Sequence, residues 1–307
     1  MKKKILVIGS FMTDLVVQTQ KLPLDGETII GSTFNRFTGG KGANQAVAAA
    51  KLGGDVAMIG KLGEDDFGKE HIEALKTYNV NHQFVLFDSE ESTGVGSIQI
   101  DKNGMNRIIV VPGSNLKLSE QDIEGLESVI IDSDIIVLQL EIPMETVYKS
   151  IELAHRHGKE IILNPAPAQP IDMDYIDKID YFVPNETEAS LLSNVEVTSL
   201  ESAEKAADVL LGQGYKNVII TLGENGVIFK NKDKLEYIEA HTVKAIDSTA
   251  AGDSFVGSLA YGLSVDMNIN QTLNLAVAAS ALTVTKLGAH PSLPKHEEVD
   301  RLFSVHQ

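Results

Sequence analysis

The sequence predicts an α/β fold, a doubly wound and mainly parallel sheet flanked by helices, with a small β-sheet attached to it. Two observations carry this. Short continuous apolar runs, of the kind buried on both faces of a parallel sheet, alternate with helical patterns along most of the chain. In two places the alternation breaks, and strand follows strand with no helix between. At 307 residues the chain could hold one large α/β domain or two small ones. No internal repeat, low-complexity tract or long linker divides it, so a single domain over 1–307 is expected.

Ile5-Leu6-Val7-Ile8 opens the series, stopped by Gly9-Ser10. Preceded by Lys2-Lys3-Lys4, it superficially resembles a signal peptide, but the run is short and lacks a small-residue cleavage site, so a buried first strand is expected. Similar runs return at Val56–Ile59, Ile135–Leu138, Ile161–Leu163, Tyr181–Val183 and Val218–Ile220. Helical patterns cover Ala43–Leu52, Phe67–Tyr78, Met144–His157 and Ala203–Gly212. Val243–Ile246 reads as a strand end, and Phe255, Leu259 and Leu263 recur at helical spacing after it. The two breaks, about 15–37 and 93–111, hold strands at Val16-Val17, Thr28–Ile30, Val95–Ile100 and Ile108–Val111, the last two joined by an Asp101-Lys102-Asn103-Gly104 turn. Such a sheet could close a site against water or simply lie at the periphery.

Composition narrows the function. The formal charge of −17 argues against nucleic acid and anionic membrane surfaces as partners. With no cysteine there are no disulfides, thiolate metal sites or cysteine nucleophiles, which suits the cytoplasm. No apolar run reaches membrane-spanning length. The first strand is not followed by G-x-G-x-x-G, and no G-x-x-x-x-G-K-[ST] occurs, so a nicotinamide oxidoreductase and a P-loop enzyme are both disfavoured.

One stretch points to chemistry. Asp247-Ser248-Thr249-Ala250-Ala251-Gly252-Asp253-Ser254-Phe255 leads into a helix, whose first amides lack internal partners and carry the positive end of its dipole. Small residues at Ala250, Ala251 and Gly252 let an anion approach that backbone, and Asp253 stands beside it. Amides to take growing charge and a carboxylate to take a proton suit phosphoryl transfer. An ordinary capping aspartate would leave the same local pattern. Gly39-Gly40-Lys41-Gly42-Ala43-Asn44-Gln45 also runs into a helix, with Lys41 and Asn44 as a cation and a two-way hydrogen bonder; such glycine loops also serve packing alone. Polar residues follow further strands: Glu141, Asn164-Pro165-Ala166-Pro167, Pro184-Asn185-Glu186-Thr187-Glu188, and Thr221-Leu222-Gly223-Glu224-Asn225-Gly226. The carboxyl ends of parallel strands are where open α/β sheets bind ligands.

Taken together, the two glycine motifs resemble the paired signatures of the ribokinase (PfkB) family of carbohydrate kinases, and Leu138-Gln139-Leu140-Glu141, Asn164–Pro167, Pro184–Glu188 and Thr221–Gly223 fit its landmarks in order. The resemblance spans essentially the whole chain. It implies a doubly wound α/β fold with a β-sheet lid and, by similarity, a homodimer paired through the lids. It implies that Asp253 is the base toward a sugar 5-hydroxyl, with amides of Ala250, Ala251 and Gly252 as anion hole. It places the sugar among Met12, Thr13, Asp14, Gly40, Lys41, Gly42, Ala43, Asn44 and Glu141. ATP would lie against Asn185, Thr221, Leu222, Gly223, Glu224, Asn225, Gly226, Gly252, Asp253 and Val277. Glu188 would help position Mg²⁺, through water. Asp247, Thr249, Thr283, Lys286, Gly288 and Ser292 would hold K⁺. The eight histidines need no catalytic role and are expected to be mostly solvated.

The sequence departs from the ribokinase pattern at one place. Met12 stands two residues before Asp14, where ribokinases carry Asn, and this resembles the deoxyribokinase branch. Met12 facing the sugar and Met12 facing the core are both open from the sequence. The expected activity is ATP-dependent phosphorylation of the 5-hydroxyl of a pentose, 2-deoxy-D-ribose before D-ribose; a true ribokinase is the alternative. A non-catalytic sugar or nucleotide sensor, which has no need of a base, is remoter.

Overall fold

The computed structural model describes residues 2–305. The chain opens with β1 (Lys4–Ile8), β2 (Met12–Gln18), β3 (Thr33–Gly39), α1 (Lys41–Lys51), β4 (Asp55–Gly63), α2 (Asp66–Thr77) and β5 (Val85–Asp88). Then come β6 (Val95–Ile100), β7 (Asn106–Val111), α3 (Glu120–Gly125), α4 (Glu127–Ile131), β8 (Ile135–Leu138), α5 (Met144–Arg156) and β9 (Glu160–Leu163). The remainder is α6 (Met173–Ile176), β10 (Tyr181–Phe182), α7 (Glu186–Ser193), α8 (Leu200–Gln213), β11 (Asn217–Thr221), β12 (Val227–Asn231), β13 (Leu235–Ile238), α9 (Ala251–Ser264), α10 (Ile269–Thr283) and α11 (His296–Val305).

The continuous apolar runs are explained by burial on both faces. In β1, Ile5 and Val7 belong to one core, while Leu6 and Ile8 belong to the other. The same alternation holds in β4 and β8, where Val56, Met58, Ile135 and Val137 join the first core and Ile59, Ile136 and Leu138 the second. Alanine-rich α1 closes the first face with α9 and α10, through Ala46, Val47, Val256, Leu259, Ala276 and Ala279. Helices α5 and α8 close the second through Val147, Ile151, Ala203, Ala207 and Leu210.

The nine-stranded sheet has the order β13-β12-β11-β10-β9-β8-β1-β4-β5, parallel except where β12 pairs with β11 and β13. From β1 the chain builds outward through β4 and β5, then returns to β1's other side at β8. That reversal leaves a crevice above the carboxyl ends of β1 and β8, the usual ligand position in such sheets.

The small sheet has the order β3-β2-β6-β7, with β2 and β6 parallel and the outer pairs antiparallel. Its strands start and stop differently from the sequence reading. β2 begins at Met12 and β3 runs on to Gly39, so the sheet is rooted in the crevice itself. Thr28–Ile30 is not a strand: β2 ends at Gln18 opposite Thr33, and residues 28–30 lie beyond any partner. Val243–Ile246 is not a strand either. It crosses the end of α10, where the Ile246 N–H donates to the Val284 carbonyl at 2.7 Å. The turn after β6 forms as read, with the Gly104 N–H donating to Asp101.

Two histidines depart from the solvated expectation, and both anchor the small sheet. His71 of α2 and His290 are fully buried, within hydrogen-bond distance of Thr13 Oγ1 at 3.2 Å and Thr38 Oγ1 at 3.0 Å. Burial pushes their pKa values down to about 4 and about 3, so both rings are neutral at pH 7. Phe37 of β3 rests against the backbone at Gly288.

Candidate active site

α9 starts on a strained residue. Its N-cap, Ala250, has φ 62° and ψ 10°, a left-handed conformation, and no side chain caps the helix. Such a non-glycine backbone costs on the order of 1–3 kcal/mol and is held only by its surroundings. The uncapped first turn leaves donors for a ligand. The Ala251 N–H already donates to the Ser248 carbonyl at 3.2 Å, so it is the least available of the three predicted amides. A Cβ on Gly252 would meet nothing within 4 Å. The space before that turn is open.

Two cavities meet there. The larger, about 560 Å³, is lined by Thr221, Gly223, Glu224, Asn225, Gly226 and Val277 among others. The smaller, about 210 Å³, is lined by Lys41, Asn164, Asn185, Glu188 and Asp253. Thr221, Ser248, Ala251 and Gly252 line both. A nucleotide-sized space and a polar space therefore share one wall, the start of α9.

Asp253 is buried, with its Oδ2 accepting from Asn44 Nδ2 at 2.8 Å and its Oδ1 from Gln45 Nε2 at 3.1 Å. The Asn44 Oδ1 is buried without a partner. Lys41 is the cation of this group: burial works to lower its pKa, but Asp253, Glu141 and Glu188 outweigh that and raise it. Glu141 accepts from Ser10 Oγ at 2.5 Å and from the Lys41 N–H at 3.2 Å. Asp14 has its pKa raised to about 6, first by burial and then by the charges of Glu141, Asp247 and Asp253.

Strand geometry sorts the predicted sugar contacts. Met12 and Asp14 are two apart on β2 and share a face; a Cβ on Gly96 would lie 2.7 Å from Asp14 Oδ1 and 3.9 Å from Met12 Cγ. Neither apolar core includes Met12. Thr13 points the other way, to His71, and is not part of the site. Ala43 is also corrected, since its side chain belongs to the core. Gly40, with φ 91°, and Gly42 owe their identity to packing: a Cβ on either would lie 2.6 or 2.5 Å from the backbone of Met12 or Ser10.

On the nucleotide side, Leu222 is buried in the second core instead of lining the cavity. Asn185 and Glu188 form a capping box, the Asn185 N–H donating to Glu188 Oε2 at 2.9 Å and the Glu188 N–H to Asn185 Oδ1 at 2.8 Å. Burial raises the Glu188 pKa against the opposing pull of that N–H and Lys41.

The predicted cation residues are brought together in part. Asp247 accepts from the backbone N–H of Thr249 and of Gly288, each at 2.9 Å, and these bonds hold its carboxyl below the usual range although burial pushes it up. The Thr283 hydroxyl donates to the Ala279 carbonyl and lies within hydrogen-bond distance of Ser254 Oγ, so it is engaged inside the helices. Lys286 pairs with Glu298, and the Ser292 hydroxyl donates to the Ala289 carbonyl. Residues 2–296 match the model of the pfkB family carbohydrate kinases.

The chain belongs to that family.

The pfkB match extends across curated relatives. The chain is 38% identical over 304 residues to a deoxyribokinase of Salmonella typhi, covering 99% of both. It is 39% identical over 298 residues to a ribokinase of Haemophilus influenzae, covering 97% of both. Among solved structures, an Arabidopsis thaliana ribokinase complexed with ribose and ATP superposes with a TM-score of 0.92 at 32% identity, over 98% of this chain and 99% of that one.

The pfkB site contains side chains the sequence reading left out. Ser10 and Gln45 contact Glu141 and Asp253, and Asn164 accepts from Gln45. Gln45 sits inside the glycine motif and Asn164 at a strand end, so position was a signal for both; only contact shows what they touch. The open space at Gly252 generates a prediction. Gly252→Ala should leave thermal stability equal or higher, since alanine favours a helix over glycine by about 1 kcal/mol. Its turnover should fall at least tenfold, because the methyl group enters the space before the α9 amides. Unchanged turnover would show that no anion sits there.

Proposed function

We propose that this pfkB kinase transfers a phosphoryl group from ATP to the 5-hydroxyl of a pentose, with 2-deoxy-D-ribose preferred to D-ribose. The observation that carries the reading is the buried Asp253 carboxylate, which lines the smaller cavity in the uncapped first turn of α9, beside the wall shared with the larger one. The names of the relatives, a deoxyribokinase and ribokinases, one of them complexed with ribose and ATP, support the substrate class.

In this reading Asp253 takes the proton of the sugar hydroxyl, and α9 amides, with Gly252 leading, stabilise the charge on the transferred group. Lys41 offsets the carboxylates that surround it. Asp14, Glu141 and the unpartnered Asn44 Oδ1 accept from sugar hydroxyls and orient the acceptor. Glu188 has one oxygen in its capping bond and one left, which fits a water of a Mg²⁺ ion. Mg²⁺, when bound, supplies charge neutralisation of the phosphates. Asp247, ionised and tied to the 285–292 loop through Gly288, fits a K⁺ ligand, with backbone oxygens of that loop and of Thr249 around it. The small sheet serves as a lid over the sugar. Its edge strand β7 leaves Ile108, Ile109, Val110 and Val111 exposed, an apolar edge that suits pairing with a second copy. A cysteine-free ATP-using chain suits the cytoplasm, where cell fractionation would find it.

Asp253→Asn should fold and bind nucleotide but lose about 10²–10⁴-fold in kcat; turnover within a few-fold of wild type, measured by ADP release, would remove Asp253 as base. Adding K⁺ at fixed Mg²⁺ and ATP, in a bulky organic-cation buffer, should raise turnover, and equal rates would remove the cation site. Sedimentation at micromolar concentration should show a dimer; a monomer would contradict the pairing without touching the lid. Met12 governs the sugar. A ribose 2-hydroxyl buried unpaired against its side chain costs roughly 1–3 kcal/mol. Wild type should therefore show the higher kcat/KM on deoxyribose with ribose still used, and Met12→Asn should narrow or invert the ratio by improving ribose. A wild type favouring ribose makes the chain a ribokinase, and an unchanged ratio in Met12→Asn frees Met12 of any role in choice.

A further inference from the structure

We infer that Gln45 is a positioning residue for the Asp253 carboxylate, and that its own orientation is set by a buried relay of amides through Gln139 and Asn164. The inference rests on Asp253 being the base.

A carboxylate that takes a proton must present a lone pair in one fixed direction. Here Asn44 holds Oδ2 and Gln45 holds Oδ1, so rotation of the carboxylate breaks two bonds at once. Asn44 keeps an unpartnered oxygen, whereas Gln45 is fully buried. An amide is useful there in only one orientation. Turned over, its Oε1 would confront the Asp253 Oδ1, acceptor against acceptor.

Two neighbours prevent the turn. Gln139 Nε2 donates to Gln45 Oε1 at 2.6 Å, and Gln45 Nε2 donates to Asn164 Oδ1 at 3.2 Å. Asn164 is itself fixed, because its Nδ2 donates to the Val183 carbonyl at 2.9 Å. A backbone carbonyl can only accept. Starting from it, the donor and acceptor ends of Asn164, Gln45 and Gln139 follow one after another, and the middle amide, Gln45, turns its second Nε2 hydrogen to Asp253 Oδ1. All three amides are buried, Asn164 at the wall of the smaller cavity, and the Gln139 Oε1 has no partner. Leaving a buried acceptor unpaired is unfavourable, and apolar residues of the same size would avoid it. The polar relay therefore works against stability, and through Gln45 it ends on the carboxylate.

The test uses the full-length chain with Gln45→Leu, the isosteric Gln45→Glu and, as reference, Asp253→Asn. At saturating sugar and ATP, Gln45→Leu should lose 10-fold or more in kcat while KM for the sugar stays within about threefold. With a donor to the carboxylate removed, the acid limb of the kcat profile should move to higher pH. Gln45→Glu sets an acceptor or a like charge against Asp253 and should move that limb by one unit or more. Lys41, Glu188 and Asp14, whose charges also act on Asp253, are unaltered in both variants. Wild-type kcat and acid limb in both variants, or a loss confined to KM, would overturn the inference. If Gln45→Leu does not fold, Gln45→Glu decides. Asp253→Asn separates the two claims: retained turnover there sinks the base assignment, whereas lost turnover with unaffected Gln45 variants sinks only the positioning role.

Discussion

The site depends on how closely α1 crosses α9. A Cβ on Gly257 would lie 2.5 Å from the Gln45 carbonyl and 2.6 Å from the Ala48 Cβ, so the two helices touch backbone to backbone at that point. Ala46, Val47, Ala49 and Ala260 continue the contact with small side chains. At ordinary helix spacing the amino ends of α1 and α9 would stand further apart than an amide can bridge. At this spacing Asn44 and Gln45, one turn into α1, reach Asp253, one turn into α9, although 209 and 208 residues separate them. Packing density in the core and hydrogen-bond geometry in the site are thus one constraint seen from two sides.

Electrostatically the crevice is overcharged. Asp14, Glu141, Glu188, Asp247 and Asp253 gather near Lys41 in a chain that is already acidic. The raised pKa of Asp14 has a definite linkage consequence. Because the folded value of about 6 lies above the ordinary 3.8, the folded chain binds more protons between those values, and stability falls as pH rises through that window before levelling off. At neutral pH the ionised Asp14 therefore carries first the cost of its burial and then the repulsion of Glu141, Asp247 and Asp253.

The small sheet is not an independent ornament on this crevice. Its strands grow directly out of it, at Met12 and Gly39, and are tied down on one face by two neutral histidines, His71 at Thr13 and His290 at its cross-strand partner Thr38. His290 belongs to the loop whose Gly288 N–H binds Asp247, and Phe37 packs on that same glycine. The small sheet, the loop and the stretch before α9 are consequently in contact as one unit.

The sequence by itself determined the layer architecture, the two strand-rich insertions and the two glycine motifs. These are local signals: unbroken apolar runs, helical spacing and small residues before a helix each act within a few positions. Lys41, Asn44, Glu141 and Asp253 stood out for the same reason, as polar residues at strand and helix ends, whereas Met12 and Asp14 were singled out only by the resemblance to the pfkB family. Tertiary structure alone decided the rest. Only pairing shows that Thr28–Ile30 has no strand to join and that Val243–Ile246 crosses a helix end. Only strand alternation from a known start separates Met12 from Thr13, because a one-residue shift of register exchanges every face. And only the helix crossing makes Gln45, Gln139 and Asn164 members of the site, since hydrogen bonds between residues about a hundred positions apart leave no periodic trace in the chain.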